Sequence, residues 1–150
     1  MNAKIRWVDQ AMFVAESGSG HSVVIDGPPD HGGQNLGVRP MEMILMGLGA
    51  CTAFDVVGIL KKSRQNVSDC VTQLSATRSE GIPSVFEKIH IAFRVTGRNL
   101  KPRQVERAVA LSAEKYCSAS IMLERGGVEI SHAVEIIDEA IHETKAGPDD

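Results

Sequence analysis

Apolar and polar residues alternate in short pieces over the first 26 positions. They predict three strands, Lys4–Val8, Met12–Glu16 and His21–Asp26, parted by turn-like pieces such as Ser17-Gly18-Ser19-Gly20. The period then disappears in GPPDHGGQNLGVRP, Gly27 to Pro40, a loop whose length in a compact domain often signals function. From Pro40, a residue suited to a first helical turn, the chain turns apolar to about Ser63. Met43, Ile44, Leu45, Met46, Leu48, Phe54, Val56, Val57, Ile59 and Leu60 occupy almost every face, which predicts a central helix buried on all sides. Gly47, Gly49 and Gly58 each cost about 1 kcal/mol of helix propensity against Ala. They are therefore expected where another backbone comes close.

Val67–Glu80 reads as a long mixed strand. In Val85–Val95 the alternation is clean, with Val85, Ile89, Ile91, Phe93 and Val95 on one face and Phe86, Lys88, His90, Ala92 and Arg94 on the other. Pro102 opens a second helix, to about Tyr116, with Val105, Ala108, Val109 and Ser112 as its inner stripe. A third helix, Ser118–Arg125, stops at Gly126-Gly127, and Val128–Ile137 alternates again. The order βββ-α-ββ-αα-β is that of an α+β fold. One domain over residues 1–140 is expected, with a polar tail at 141–150 and no internal repeat. A lone domain of this size rarely surrounds a helix on every side, so a homodimer is expected to cover what remains.

Composition narrows the function. The 150 residues carry a net charge of −3 with scattered basic residues and 4% aromatics, which argues against a nucleic-acid surface. No run of about 18 uncharged apolar residues occurs, so no membrane span is expected. MNAKIRWVDQ has no signal-peptide core, and a cytoplasmic location follows as the default. The three cysteines, Cys51, Cys70 and Cys117, are widely spaced and form no CxxC. In a reducing compartment a disulfide between them would more often be transient and catalytic than structural. The five histidines show no metal-ligand spacing, and neither a metal nor a cofactor is expected.

Cys51 sits inside the most apolar stretch and has two readings, a small buried hydrophobe or a reactive thiol. Cys117 precedes Ser118, a candidate cap for the third helix, and the partial positive charge of a helix N-terminus lowers a thiol pKa. Cys70, on a strand, reads as packing. His31 lies in the flexible loop, either solvated or close enough to Cys51 to act as a base. Met41, Met43 and Met46 read as core or as the lining of an apolar pocket.

Two segments carry a family resemblance. RPMEMILMGLGACTAFDVV followed by AEKYCSASIMLE resembles the OsmC/Ohr family of osmotically inducible and organic hydroperoxide resistance proteins, in a cytoplasmic branch. The resemblance covers nearly the whole chain. It implies an intertwined homodimer with two active sites at the subunit interface. It also implies a thiol peroxidase cycle, in which Cys51 attacks the O–O bond of an organic hydroperoxide and Cys117 traps the sulfenic acid as a disulfide. A dithiol reductant such as a lipoyl group resets the pair in this family.

The resemblance also implies a Glu–Arg clamp on the reactive thiol, and here the chain departs from the pattern. The Glu position is Met41, and Glu42 stands one place late, about 100° round the helix. Arg39 occupies the Asn position, and Ser118 replaces the Pro after the second Cys. Arg39 and Glu42 stay as candidate site residues, paired across a turn, with Arg6 and a solvated Arg39 as the alternatives. Asp55, one turn beyond Cys51, either opposes thiolate formation or holds an Arg or Lys from the partner chain. The second functional reading is a catalytically silent dimer that binds an apolar small molecule at the same interface, with Arg39 and Glu42 as its polar rim.

Overall fold

The structure, a computed structural model, describes residues 1–139. The predicted tail and His142 lie outside the described residues. The chain forms two compact units, one ending at Met46 and the other beginning at Gly47.

In the first unit, β1 (Ala3–Asp9), β2 (Met12–Ser17) and β3 (Ser22–Ile25) pair as an antiparallel meander. All three predicted strands are present, within one residue at each end. The following loop has no apolar period, yet it is ordered by one carboxylate. Asp26, 1% exposed, accepts backbone N–H bonds from Gly27 (2.7 Å), Gln34 (3.0 Å) and Leu36 (3.0 Å). These bonds, that from Leu36 foremost, hold its carboxyl below the usual carboxylate range, against the opposing effect of burial. Nothing in the hydrophobic pattern singled Asp26 out.

Helix α1 runs from Pro40 to Lys62. Its buried residues are Leu48, Gly49, Thr52, Val56 and Leu60, a single stripe of period four. Within the chain the helix is thus covered along one stripe rather than on every side, and Phe54 is 81% exposed. The glycine expectation is corrected as well. A Cβ at Gly49 would meet the Leu74 side chain, whereas Gly47 and Gly58 have nothing within 4 Å among the described residues. Asp55 keeps α1 from being an uninterrupted apolar run, as the sequence reading held. By length and composition α1 is nonetheless apolar enough to cross a membrane, with a mean hydropathy of 2.0 over its best 18 residues, because such a window tolerates the single charge of Asp55.

The second unit contains a sheet of order β4-β5-β6. β4 (Asn66–Arg78) and β5 (Phe86–Arg98) pair antiparallel, and β6 (Glu129–Asp138) lies parallel to β5. A parallel neighbour requires a long crossover, here supplied by the helices between β5 and β6. The inner face of β5 is Ile89, Ile91, Phe93 and Val95, each at most 2% exposed. On the outer face Lys88 meets Glu129 at 3.2 Å and Arg94 meets Glu135 at 2.8 Å. These exposed pairs fix register more than stability, at about 0–1 kcal/mol each.

One register prediction is overturned. Phe86 is buried and Val85 is 52% exposed, the reverse of the alternation. Arg78 pairs with Phe86 and Thr77 with Lys88, so Glu87 is an extra residue on β5. A bulge of one residue carries everything before it to the other face.

The crossover begins with α2 (Pro102–Leu111), continues through a π-helical turn (Ser112–Tyr116) and ends with α3 (Ser118–Arg125). The predicted stripe of Val105, Ala108, Val109 and Ser112 is buried throughout. What the sequence period reads as one helix to Tyr116 widens after Leu111 into the π turn.

Candidate functional site

Cys51 and Asp55 stand four residues apart on α1, hence on one face, about 6 Å apart along the axis. Cys117 reaches them from the other end of the sequence. Two side chains and one backbone bond hold it there. The Ser112 hydroxyl donates to the carbonyl of Thr52 at 3.4 Å, tying the π turn to α1 beside Cys51. The amide of Cys117 donates to the Ser112 carbonyl, five residues back, at 2.9 Å. The Thr52 hydroxyl is itself bonded to the Gly49 carbonyl at 3.0 Å, and Thr52 and Ser112 are both buried. Single-turn π segments recur at functional sites, where they re-aim the residues that follow.

The result is a cluster. The sulfurs of Cys51 and Cys117 and a carboxylate oxygen of Asp55 all lie within 4.8 Å of one another. Cys51 is half-buried and Cys117 is fully buried. Cys70 is a free, half-buried thiol on β4.

Cys117 corrects one prediction. It is itself the cap of α3, with its sulfur accepting the Ser120 amide at 3.5 Å, and Ser118 is the first helical residue. The expected lowering of its pKa does not result. Burial pushes the Cys117 thiol up; the Ser120 amide works against this, and the neighbouring Cys51 adds to it. Asp55 brings a further tension. Its Oδ2 is buried and has no hydrogen-bond partner among the described residues. Arg107 and Asp55 share the wall of one open cavity of about 520 Å³, whose apolar lining includes Phe54, Ile59, Leu111 and Tyr116. The predicted methionine lining is not found there.

Arg39 and Glu42 come together with each other. Their side chains approach to 3.9 Å, and the Arg39 amide donates to Glu42 Oε2 at 3.0 Å. With Pro40 as the first helical residue, this is the carboxylate half of a capping box, which the departure from the family pattern had hidden. Both side chains are about half exposed. His31 is paired with Asp30 at 3.1 Å and solvated, each side chain 76% exposed. Sequence reasoning missed Ser112 as a positioning residue. The only available signal was a hydroxyl on the apolar stripe of α2.

Fold and site together define a class: an α+β chain whose longest helix presents one cysteine to a second cysteine at a distant helix start. Residues 32–133 match the family described as OsmC-like protein. Protein YhfA of Escherichia coli strain K12 is 47% identical over 140 residues, which span 91% of this chain and 98% of that one. The crystal structure of a hypothetical protein from Aquifex aeolicus VF5 superposes with a TM-score of 0.76 at 30% identity, covering 91% of this chain and 97% of that chain. An organic hydroperoxide resistance protein OsmC from Legionella pneumophila shares the fold, with a TM-score of 0.66 at 18% identity, over 89% and 95% of the two chains. The chain belongs to the OsmC-like protein family.

Proposed function

We propose that this protein is a thiol-dependent hydroperoxide reductase of the OsmC/Ohr type, acting in peroxide defence as a cytoplasmic homodimer. The observation that supports it most is the approach of the Cys51 and Cys117 sulfurs to within 4.8 Å. The Cys51 thiolate attacks the distal oxygen of ROOH, the O–O bond breaks, and RO⁻ takes a proton to leave as ROH. Cys51 then carries a sulfenic acid. The Cys117 sulfur displaces its hydroxyl, an S–S bond forms, and the hydroxyl leaves with a proton as water. A dithiol reductant, such as a lipoyl group, is oxidised to its cyclic disulfide as the protein dithiol returns. Arg39, paired with Glu42, is proposed as the polar partner of the site. The exposed Phe54 and the uncovered surface of α1 favour a second copy as the cover.

The apolar-lined cavity supports a second reading, a silent dimer that binds an apolar small molecule. Thiol titration after one equivalent of cumene hydroperoxide separates the two. The reductase loses two thiols per chain, as does Cys70→Ser for the same pair, while Cys51→Ser loses none to the peroxide. Three unreacted thiols in the wild type would sink the reductase and leave the binding protein.

A further inference from the structure

We propose that the reduced pair, together with Asp55, is a binding site for a thiophilic divalent cation, with Zn2+ favoured by the donor set. The site goes beyond the peroxide chemistry and does not depend on it. Two sulfurs and a carboxylate oxygen within 4.8 Å of one another can surround one ion. Tetrahedral zinc takes sulfur at about 2.3 Å and carboxylate oxygen at about 2.1 Å, which puts donor atoms roughly 3.6–3.8 Å apart. The donors therefore need to close by no more than about 1 Å, within reach of side-chain rotation alone. Three protein donors leave the fourth position for water or a small ligand, the pattern of an open zinc site. Thiolates select the softer metals, and Mg2+ or Ca2+ would find too few oxygens.

Asp55 is the independent observation. A carboxylate oxygen buried without a hydrogen-bond partner among the described residues is costly. A divalent cation would partner that oxygen and take the two neighbouring sulfurs as its further ligands. The donors are also held in place beforehand. Cys51 and Asp55 share one helical face, and the Ser112 bridge to Thr52 and the Ser120 amide set Cys117. Entry is from the cavity on whose wall Asp55 lies. No linear motif betrays the site, because its third ligand comes about 66 residues after the first.

Binding follows Zn2+ + 2 Cys–SH + Asp–COO⁻ → Zn(Cys–S)2(Asp–COO) + 2 H+, with no change of oxidation state. Metal and disulfide are then mutually exclusive occupants of the same two sulfurs.

The test uses reduced full-length protein, free of added thiol, under nitrogen and without peroxide. Co2+ is titrated first, and thiolate-to-cobalt absorption in the near ultraviolet is expected to saturate at one ion per chain. Added Zn2+ should abolish it. In the wild type, Zn2+ should protect Cys51 and Cys117 from iodoacetamide in peptide mapping while Cys70 alkylates at an unchanged rate; this arm needs no variant. Cys51→Ser and Cys117→Ser should lose the absorption, Cys70→Ser should keep it, and Asp55→Asn should weaken Zn2+ by at least about tenfold, since even outer partners cost that much. Wild-type protein with no sulfur absorption and no protection overturns the site. So does an Asp55→Asn variant, folded by circular dichroism, that binds Zn2+ as tightly as wild type. Because peroxide is absent throughout, failure here leaves the cumene hydroperoxide result untouched, and the reverse also holds.

Discussion

Oxidation of the Cys51–Cys117 pair should stabilise the fold measurably. The bond would close a loop of about 66 residues. Restricting the unfolded chain to that extent is worth about 4 kcal/mol on the chain-entropy account. Native strain subtracts from it. The sulfurs start within 4.8 Å of each other and must end near 2.05 Å, a movement that side-chain rotation on a helix and at a helix cap can largely absorb. A net gain of about 2–4 kcal/mol is expected. At roughly 2–4 °C per kcal/mol for a chain of this size, the melting temperature should rise by about 5–15 °C. The assay is thermal unfolding by circular dichroism before and after one equivalent of cumene hydroperoxide, with mass spectrometry confirming loss of the thiol hydrogens. Cys70→Ser should show the same gain and Cys117→Ser none. Oxidised protein with the confirmed mass that melts at or below the reduced form would refute the reasoning, since the two sulfurs would then not be neighbours in the native state.

Two further perturbations test other parts of the fold. Gly97→Ala should cost about 3 kcal/mol or more in urea unfolding, because the new Cβ would clash with the Asn66 carbonyl oxygen and lie 3.0 Å from the Val67 Cα, both backbone atoms; a cost under about 1 kcal/mol would show that the β4–β5 pairing yields easily. Burial holds the His132 imidazole below its ordinary value, with Glu124 opposing and His90 adding to the shift. The unfolded chain therefore takes up a proton near pH 6.5 before the folded chain does, so this contribution is complete above that pH and is lost as pH falls toward the folded value. His132→Phe, which keeps an aromatic ring against Phe93, should flatten urea midpoints between pH 5 and 7, and an unchanged slope would remove His132 as the cause.

How far the sequence reaches depends on the range of the interactions involved. Period-2 alternation placed Ile89, Ile91, Phe93 and Val95 on the inner face, because each choice depends only on neighbours in the same strand. The same rule misplaced Phe86, because a bulge at Glu87 is a property of the β4–β5 pair and not of β5. The Val105–Ser112 stripe was legible, but the π turn was not, since it depends on where Ser112 finds the Thr52 carbonyl 60 residues away. Asp26 was silent because its partners are backbone amides, which every sequence has. The neighbourhood of Cys51 and Cys117 came from the family resemblance. Periodicity located each thiol on its own element and had no means of bringing them together.

The site's two sulfurs are not interchangeable, and burial is what separates them. Cys51 is half-buried on the helix, so an incoming oxidant can meet it; Cys117 is fully buried, and its environment favours the protonated form. A thiol that stays protonated is a poor first nucleophile and is spared direct oxidation. In the proposed cycle, once Cys51 is a sulfenic acid, attack would no longer have to come from solvent, and a buried neighbour within 4.8 Å would be placed to complete it. Of the three proposed metal ligands only Asp55 lies on the cavity wall, so a cation entering there meets the carboxylate before either sulfur. The Ser112–Thr52 link that places Cys117 would serve either proposed occupant, and the proposed order of the two sulfurs matches their exposure to solvent.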